Sequence, residues 1–474
     1  MEAMKLWIGG AWREAAGRET FEDLNPLDDR RYAVAARGTA EDVDSAVHAA
    51  RESFKTYGRS TPKDREAWLL KTADILAQRR QEIVDCLIDE IGSPIGKANF
   101  EFEKGLTMMR AAAGLTRQVR GETFQSDAPG TWSMSIRSPL GVVACITPFN
   151  VPFIKTSRMT GNALATGNTV VLLASEFAPR LAALVTEAYA EAGLPAGALN
   201  LVTGFGHEIG DRLTSHRDVD FVTFTGSSVV GQHIAEICAR NRTPLTLELG
   251  GKSPTLILRD ADLAAAVPMA VRSMFLYSGQ ACIASSRFYV EKPLYDAFTE
   301  TFAAAAGRLG MGDLRDPSTV IGPIISVRQR DRVKAHISDA VSKGATLLAG
   351  GDWDGNRCRP TVLCGVKTSM AVCKEETFGP VTSLYPVDSF EEGLSLANDT
   401  RYGLSSAIYT KDLSKALRYA EEIGAGMCHV NGPTIQDEPH IPFGGKGDSG
   451  FGREGTDADL QAMTTLKWVT VHVS

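Results

Sequence analysis

The sequence predicts an α/β protein with a doubly wound parallel sheet, a second α/β unit and a small separate β element. Three observations carry that reading. From "TWSMSIRSP" (131–139) onward, short apolar runs ("GVVACITP", "NTVVLLAS", "ALNLVTG", "VDFVTFTG") alternate with helical stretches such as "RLAALVTEAYAEAG" and "SSVVGQHIAEICAR". Unbroken apolar strands between helices are what a parallel sheet covered on both faces requires. After "PLTLELGGKSP" the alternation restarts with "SPTLILRD", the helix "LAAAVPMAVRSMFLYSG", the strand "SRFYVEK" and the helix "LYDAFTETFAAAAGRLG", in a unit that runs to about residue 440. Finally, "TWSMSIRSP" and the closing "LKWVTVHV" stand alone as strands, a form that suits pairing with a neighbouring subunit.

The elements follow in order. The first third reads as helical: "TAEDVDSAVHAARESF" has Thr39 as N-cap with acids in the first turn, and "PKDREAWLLKTADILAQRRQEIVDCLIDEIG" repeats apolar residues at helical spacing. A chain of 474 residues is long enough for two or three domains, each with its own core. Its formal net charge of -7 and dispersed basic residues argue against a nucleic-acid partner. No apolar run approaches a membrane span, and the opening residues carry acids and no apolar core of signal-peptide length, so neither insertion nor export is expected. The cysteines form neither a C-x-x-C pair nor a metal-ligand cluster, so no metal site is expected and a reducing cytoplasm is.

Several short motifs carry chemistry. "VTGFGHEIG" (202–210) imitates a dinucleotide loop, but its glycine spacing is one residue too wide. In "FTGSSVVG" (224–231) an apolar strand ends in Thr-Gly-Ser and opens a helix, whose free N–H groups suit a pyrophosphate; the plainer reading makes Ser227 a simple N-cap. Glu248 in "LELGGKSP" suits a general base or a strand-end acid paired with Lys252. Cys282 follows Gly279 and Gln280 in a polar turn, an unusual place for an inert thiol. Asn150, in "TPFNVP", lies between two prolines and suits an oxyanion donor or a turn-satisfying amide.

Taken in order with "KEETFGPV" (374–381) and "PFGGKGDSGFGREG" (442–455), these motifs resemble the NAD(P)-dependent aldehyde dehydrogenase superfamily over essentially the whole chain. The resemblance implies a Rossmann-type NAD-binding domain from 1–120 and 140–247, a catalytic domain from 248–440, and oligomerisation strands in 121–139 and 455–474. It implies Cys282 as nucleophile, Glu248 as base and Asn150 as oxyanion donor. Cofactor contacts fall on Thr147, Pro148, Phe149, Glu176, Gly226, Ser227, Gly231, Leu249, Gly250, Glu376 and Phe378. The expected cofactor is NAD rather than NADP, because Glu176 matches the acid that bonds the adenosine ribose. Leu173 stands where the family usually has a lysine, and Phe149 where tryptophan is common.

The segment "VNGPTIQDEPHIPFGG" resembles the branch that oxidises benzaldehyde, vanillin and salicylaldehyde, and the implied substrate pocket comprises Lys155, Arg158, Val151 and Ile283. Lys155 and Arg158 share a helix face at i and i+3. Arg158 is expected to need an anionic substrate group as its buried partner. A homodimer or homotetramer acting on a small aldehyde follows from the resemblance. Rival readings are an aldehyde dehydrogenase for aliphatic or semialdehyde substrates, a cysteine amidase or protease, an acylating coenzyme A-dependent relative, and a catalytically silent homologue. No local Cys-His signature supports the hydrolase, and the base and nucleophile are both present.

Overall fold

In a computed structural model that describes residues 3–473, the alternation around residues 142–248 becomes an eight-stranded sheet with five parallel strands at its centre. Their order is Leu199–Val202, Thr169–Leu173, Val142–Ile146, Phe221–Thr225 and Leu245–Glu248. The chain winds outward from Val142–Ile146 and then returns to lay Phe221–Thr225 on the other side. That reversal opens a crevice at the carboxyl ends of the two strands. Side-chain alternation divides each strand between two cores: Val143, Cys145, Val170 and Leu172 enter one, and Val142, Ala144, Val171 and Leu173 the other. This is why the strands read as continuous apolar runs.

Helices cover both faces. In chain order they are α1 (Ala40–Tyr57), α2 (Pro62–Gln78), α3 (Arg80–Ile91), α4 (Ile95–Leu115), α5 (Pro152–Ala165), α6 (Pro179–Ala192), α7 (Gly206–Thr214) and α8 (Ser228–Asn241). Thr39 caps α1 in a reciprocal capping box with Asp42. The second unit is a seven-stranded sheet, ordered Thr346–Ala349, Thr361–Cys364, Val381–Val387, Ser285–Glu291, Ser253–Ile257, Ser405–Tyr409 and Met427–Val430. All but the first of these run parallel. Only Leu249 to Lys252 separate the last central strand of the first sheet from Ser253–Ile257. The carboxyl edge of one sheet therefore meets the amino edge of the other, and the conspicuous motifs gather at that junction.

The structure departs from the expectations at three places. Strands Leu6–Ile8, Ala11–Arg13, Thr20–Leu24 and Arg31–Ala36 precede the helices of the first third. The long run after Pro62 is two helices, because Arg79 leaves helical geometry (φ −87, ψ 19) and its guanidinium is drawn to Glu187 on α6 and to Glu82. No glycine or proline announces that break. In the segment 455–474 a helix, Thr456–Ala462, comes before the strand Thr464–His472. That strand pairs with Thr131–Pro139 in one antiparallel register, from Thr464 opposite Pro139 to His472 opposite Thr131. Thr123–Phe124 completes a three-stranded sheet, from which Trp132, Ile136, Leu466, Trp468 and Val471 project into solvent.

Candidate active site

Three turns meet at the junction of the two sheets. The first follows Val142–Ile146: the Thr147 N–H donates to the Leu173 carbonyl (3.1 Å), and Val151 leads into Pro152 at the start of α5. Within it Asn150 is buried, and its Nδ2 donates to the Gln280 carbonyl at 3.0 Å. An amide nitrogen has two N–H groups, so one remains for a further acceptor. The second turn carries Cys282. It begins with Tyr277, Ser278 and Gly279 in left-handed backbone conformation (φ 51, 55 and 69), a costly arrangement for the first two. Side-chain bonds hold it there. Ser278 Oγ donates to the Gly322 carbonyl and accepts from its N–H, while Gln280 bonds the Pro323 carbonyl and the Ile325 N–H.

The third turn is Leu249 to Lys252. A Cβ on Gly251 would lie 2.2 Å from the Cys282 carbonyl oxygen, and one on Gly250 would lie 2.4 Å from a Glu376 carboxylate oxygen. The double glycine therefore lets two neighbouring segments approach the backbone. Glu376 Oε1 accepts the Gly251 N–H at 2.9 Å, which fixes this carboxylate beside the turn. Gly231 plays a packing role, since Leu249 occupies the space a Cβ would need. The expected alternative pairing of Glu248 with Lys252 does not form: Lys252 Nζ is buried without a hydrogen-bond partner among the described residues.

The charges are buried and unequal in their satisfaction. Glu248 is 2 % exposed, and both its carboxylate oxygens lack hydrogen-bond partners among the described residues. Burial, reinforced by the Glu454 carboxylate, raises its pKa well above the usual carboxylate range, while Lys155, Arg158 and Arg453 oppose the rise. Burial pushes the Cys282 thiol up to about 12, with Lys155 opposing and Glu376, Glu248 and Asp437 adding. Lys155 Nζ donates to Glu454 Oε2 at 2.5 Å. Burial alone would lower the pKa of this ammonium; the Glu454 and Glu248 carboxylates hold it above its ordinary value.

Arg158 corrects the sequence expectation. Its guanidinium is 1 % exposed, but it already has protein partners: Asp437 Oδ1 at 2.6 Å and Glu454 Oε2 at 3.3 Å. No substrate anion is needed to compensate it. Lys155 likewise lies buried against Glu454. Neither Glu454 nor Asp437 was singled out from the sequence, although both lie inside the two motifs that carried the resemblance. Nearby, Ile283, Phe443 and Leu404 form an apolar cluster against which Cys282, Ile435 and Met427 pack.

The expected cofactor positions spread along the same edge. Ser227 caps α8, accepting the Val230 N–H at 3.4 Å, as the plain reading foresaw; the helix start itself is exposed after Gly226. Glu176 is half-buried just beyond Thr169–Leu173, whereas Leu173 packs into the apolar core. Phe149 meets Phe378 edge-on at 5.9 Å and Phe177 at 5.8 Å, and Phe378 has a left-handed backbone (φ 53).

Comparison with known proteins agrees with this geometry. A model described as "Aldehyde dehydrogenase family" matches residues 12–469. A vanillin dehydrogenase of Pseudomonas fluorescens is 40% identical over 470 residues, covering 98% of this chain and 97% of the other. The structure of a salicylaldehyde dehydrogenase from Pseudomonas putida G7, complexed with salicylaldehyde, superposes with a TM-score of 0.97 at 36% identity, covering 100% of this chain and 99% of the other. The Staphylococcus aureus betaine aldehyde dehydrogenase in complex with NAD+ gives a TM-score of 0.96 at 32% identity, covering 99% and 95%. The chain belongs to the aldehyde dehydrogenase family, and it is an oxidoreductase acting on aldehydes.

Proposed function

We propose that this enzyme oxidises an aromatic aldehyde to its carboxylic acid with NAD, through a thioester on Cys282. The observation that carries the reading is the meeting of three groups: a thiol in a strained turn, an amide with one uncommitted N–H, and a buried carboxylate without a partner. The Cys282 sulfur, once deprotonated, adds to the aldehyde carbon, and the new oxyanion takes hydrogen bonds from Asn150 Nδ2 and the Cys282 N–H. When bound, a nicotinamide cofactor supplies the acceptor for the hydride that leaves this carbon. Glu248 then removes a proton from the water that attacks the thioester, and Cys282 departs as thiolate. Its carboxylate oxygens have no hydrogen-bond partner among the described residues, which leaves them free for this work.

The residues fit a nicotinamide dinucleotide. The exposed start of α8 offers unpaired N–H groups to a pyrophosphate, Glu376 offers a carboxylate to a ribose, and Phe149 and Phe378 offer aromatic surface. Glu176 would face the adenosine ribose, where a carboxylate accepts hydroxyls and repels a 2′-phosphate, which favours NAD over NADP. Aromatic selectivity is supported by the relatives' names and by the apolar surface of Ile283, Ile435 and Phe443 beside the thiol, with Val151 on the Asn150 turn. Arg158 acts by tethering Asp437 in the segment that carries Ile435. The exposed tryptophans of the three-stranded sheet support a homodimer or homotetramer that covers them. Among the described residues no helix is long and apolar enough to cross a membrane.

The test is a panel of benzaldehyde, hydroxybenzaldehydes, vanillin, a semialdehyde and hexanal, each with NAD and NADP, followed by absorbance of the reduced nicotinamide. The highest kcat/KM is expected for an aromatic aldehyde with NAD. Leadership by hexanal or the semialdehyde overturns the substrate assignment, and leadership by NADP overturns the cofactor assignment.

A further inference from the structure

Lys97 is an unlikely residue for its surroundings. It lies on α4, 4 % exposed, in the run "IGKANFEF", and it makes three contacts. Its ammonium pairs with Glu101 one turn later, donates to the backbone carbonyl of Asn150 at 2.8 Å, and stands 4.0 Å from the centre of the Tyr277 ring. An ammonium has three N–H groups, and here two go to oxygens and the third side faces an aromatic ring. Glu101, wholly buried, accepts in turn from the Phe153 N–H at 2.8 Å, in the first turn of α5. Tyr277 is itself pinned, its hydroxyl donating to the Ile91 carbonyl at 2.6 Å.

These contacts join the two halves of the reaction centre. Asn150 and Phe153 belong to the turn that presents the amide; Tyr277 opens the left-handed run that presents Cys282. Among the described residues the only direct polar link between them is Asn150 Nδ2 to the Gln280 carbonyl. A buried ion pair is weak evidence for stability, because an apolar pair of similar volume packs as well and needs no desolvation. Its geometric effect is different: it holds two loops at one spacing, and an oxyanion donor works only at hydrogen-bond distance from the position where the charge develops.

We propose that Lys97, held by Glu101, is a positioning residue for aldehyde oxidation, clamping the Asn150 turn against the Tyr277–Gly279 turn that carries Cys282. The proposal rests on the assignment of Asn150 and Cys282 made above. Lys97 touches neither substrate nor cofactor; it acts through the Asn150 carbonyl and the Tyr277 ring.

The double variant Lys97→Met/Glu101→Gln removes the pair without leaving a buried charge uncompensated, and glutamine keeps an acceptor for the Phe153 N–H. The expected result, in single turnovers of the full-length enzyme with NAD and benzaldehyde, is a loss of about ten- to hundredfold in the hydride-transfer rate. KM for NAD and the number of titratable thiols should stay near wild type, a split that a general loss of folding does not produce. In an Asn150→Ala background the same two changes should cost less than about threefold, because a donor already removed cannot be misplaced. Glu101→Asp, which keeps both charges but shortens the reach, is the second variant and should slow the same step by a smaller factor. Wild-type hydride transfer in the folded variants overturns the clamp, as does a full multiplicative loss in the Asn150→Ala background. Wild-type hydride transfer in Asn150→Ala alone overturns instead the assignment beneath it, and that variant by itself tells the two failures apart.

Discussion

Two buried lysine–glutamate pairs adjoin α5, and they are built differently. In Lys97–Glu101 each charged group has further partners: Glu101 takes the Phe153 N–H and Lys97 gives to the Asn150 carbonyl. In Lys155–Glu454 the second carboxylate oxygen of Glu454 has no partner among the described residues, and beside the pair stands Glu248 with neither oxygen partnered there. The electrostatics follow. Burial draws Lys97 down and Glu101 up, each opposed by its partner, whereas Glu454 is held below its ordinary range by Lys155 and Arg158 despite burial, and Glu248 is driven well above it. A satisfied pair holds geometry. An unsatisfied one leaves a carboxylate without a partner, at a cost in stability, and in the proposed mechanism that carboxylate moves a proton.

That contrast can be broken or sharpened by substitution. The largest effect is expected from Cys282→Ala, which should lower aldehyde oxidation by about four orders of magnitude or more with the melting temperature preserved. Steady-state rates and thermal denaturation check this, and turnover within tenfold of wild type would sink the mechanism. Next comes Glu248→Gln, with a fall of about 10²–10⁴-fold in thioester hydrolysis and a burst of reduced nicotinamide before the slow steady state. Its stability should not fall. The folded-state pKa of Glu248 is raised, so its contribution is fully present below the unfolded value and is lost as pH rises through the folded one. The glutamine variant lacks that loss, and its melting temperature relative to wild type should improve as pH increases. A destabilised variant would show that Glu248 has a structural partner after all.

Glu101→Gln should do the reverse. It strands the Lys97 ammonium against a neutral partner and is expected to destabilise the fold by about 3 kcal/mol, measured by denaturant unfolding. Equal stability of Glu101→Gln and Glu248→Gln would erase the distinction between the two sites. The smallest effect concerns pH. Lys155 lowers the pKa of Glu248, so Lys155→Met should move the rising limb of the pH–rate profile to higher pH by about one unit. An unmoved limb would mean that Lys155 does not govern the titration of Glu248.

Much of this site was legible in the chain itself, for local reasons. A strand buried on both faces has to be apolar throughout, so the runs at 142–146, 169–173 and 221–225 could be read directly. Cys282 stood out because a polar Gly-Gln-Ala-Cys turn is an unusual place for an inert thiol, and Asn150 because the flanking prolines restrict its turn. The strands before residue 37 were missed because they are short, and Thr20–Leu24 and Arg31–Ala36 pair with each other rather than with the central sheet. The break at Arg79 was missed because its cause is Glu187, far along the chain.

The sequence by itself therefore determined most of the helices and strands of the two α/β units and the parallel sheet, since these follow a period of two or 3.6 residues, while thiol, amide and carboxylate were singled out together by the resemblance that the order of their motifs carries. Only the tertiary structure decided which charges are compensated. Arg158 looked unpaired in its own helix and found Asp437 and Glu454, 279 and 296 residues away; Lys155 found Glu454, 299 residues away. No local pattern records such a meeting, because a salt bridge needs only that two ends of a chain arrive at one point with opposite sign, and that arrival is set by how the two sheets join.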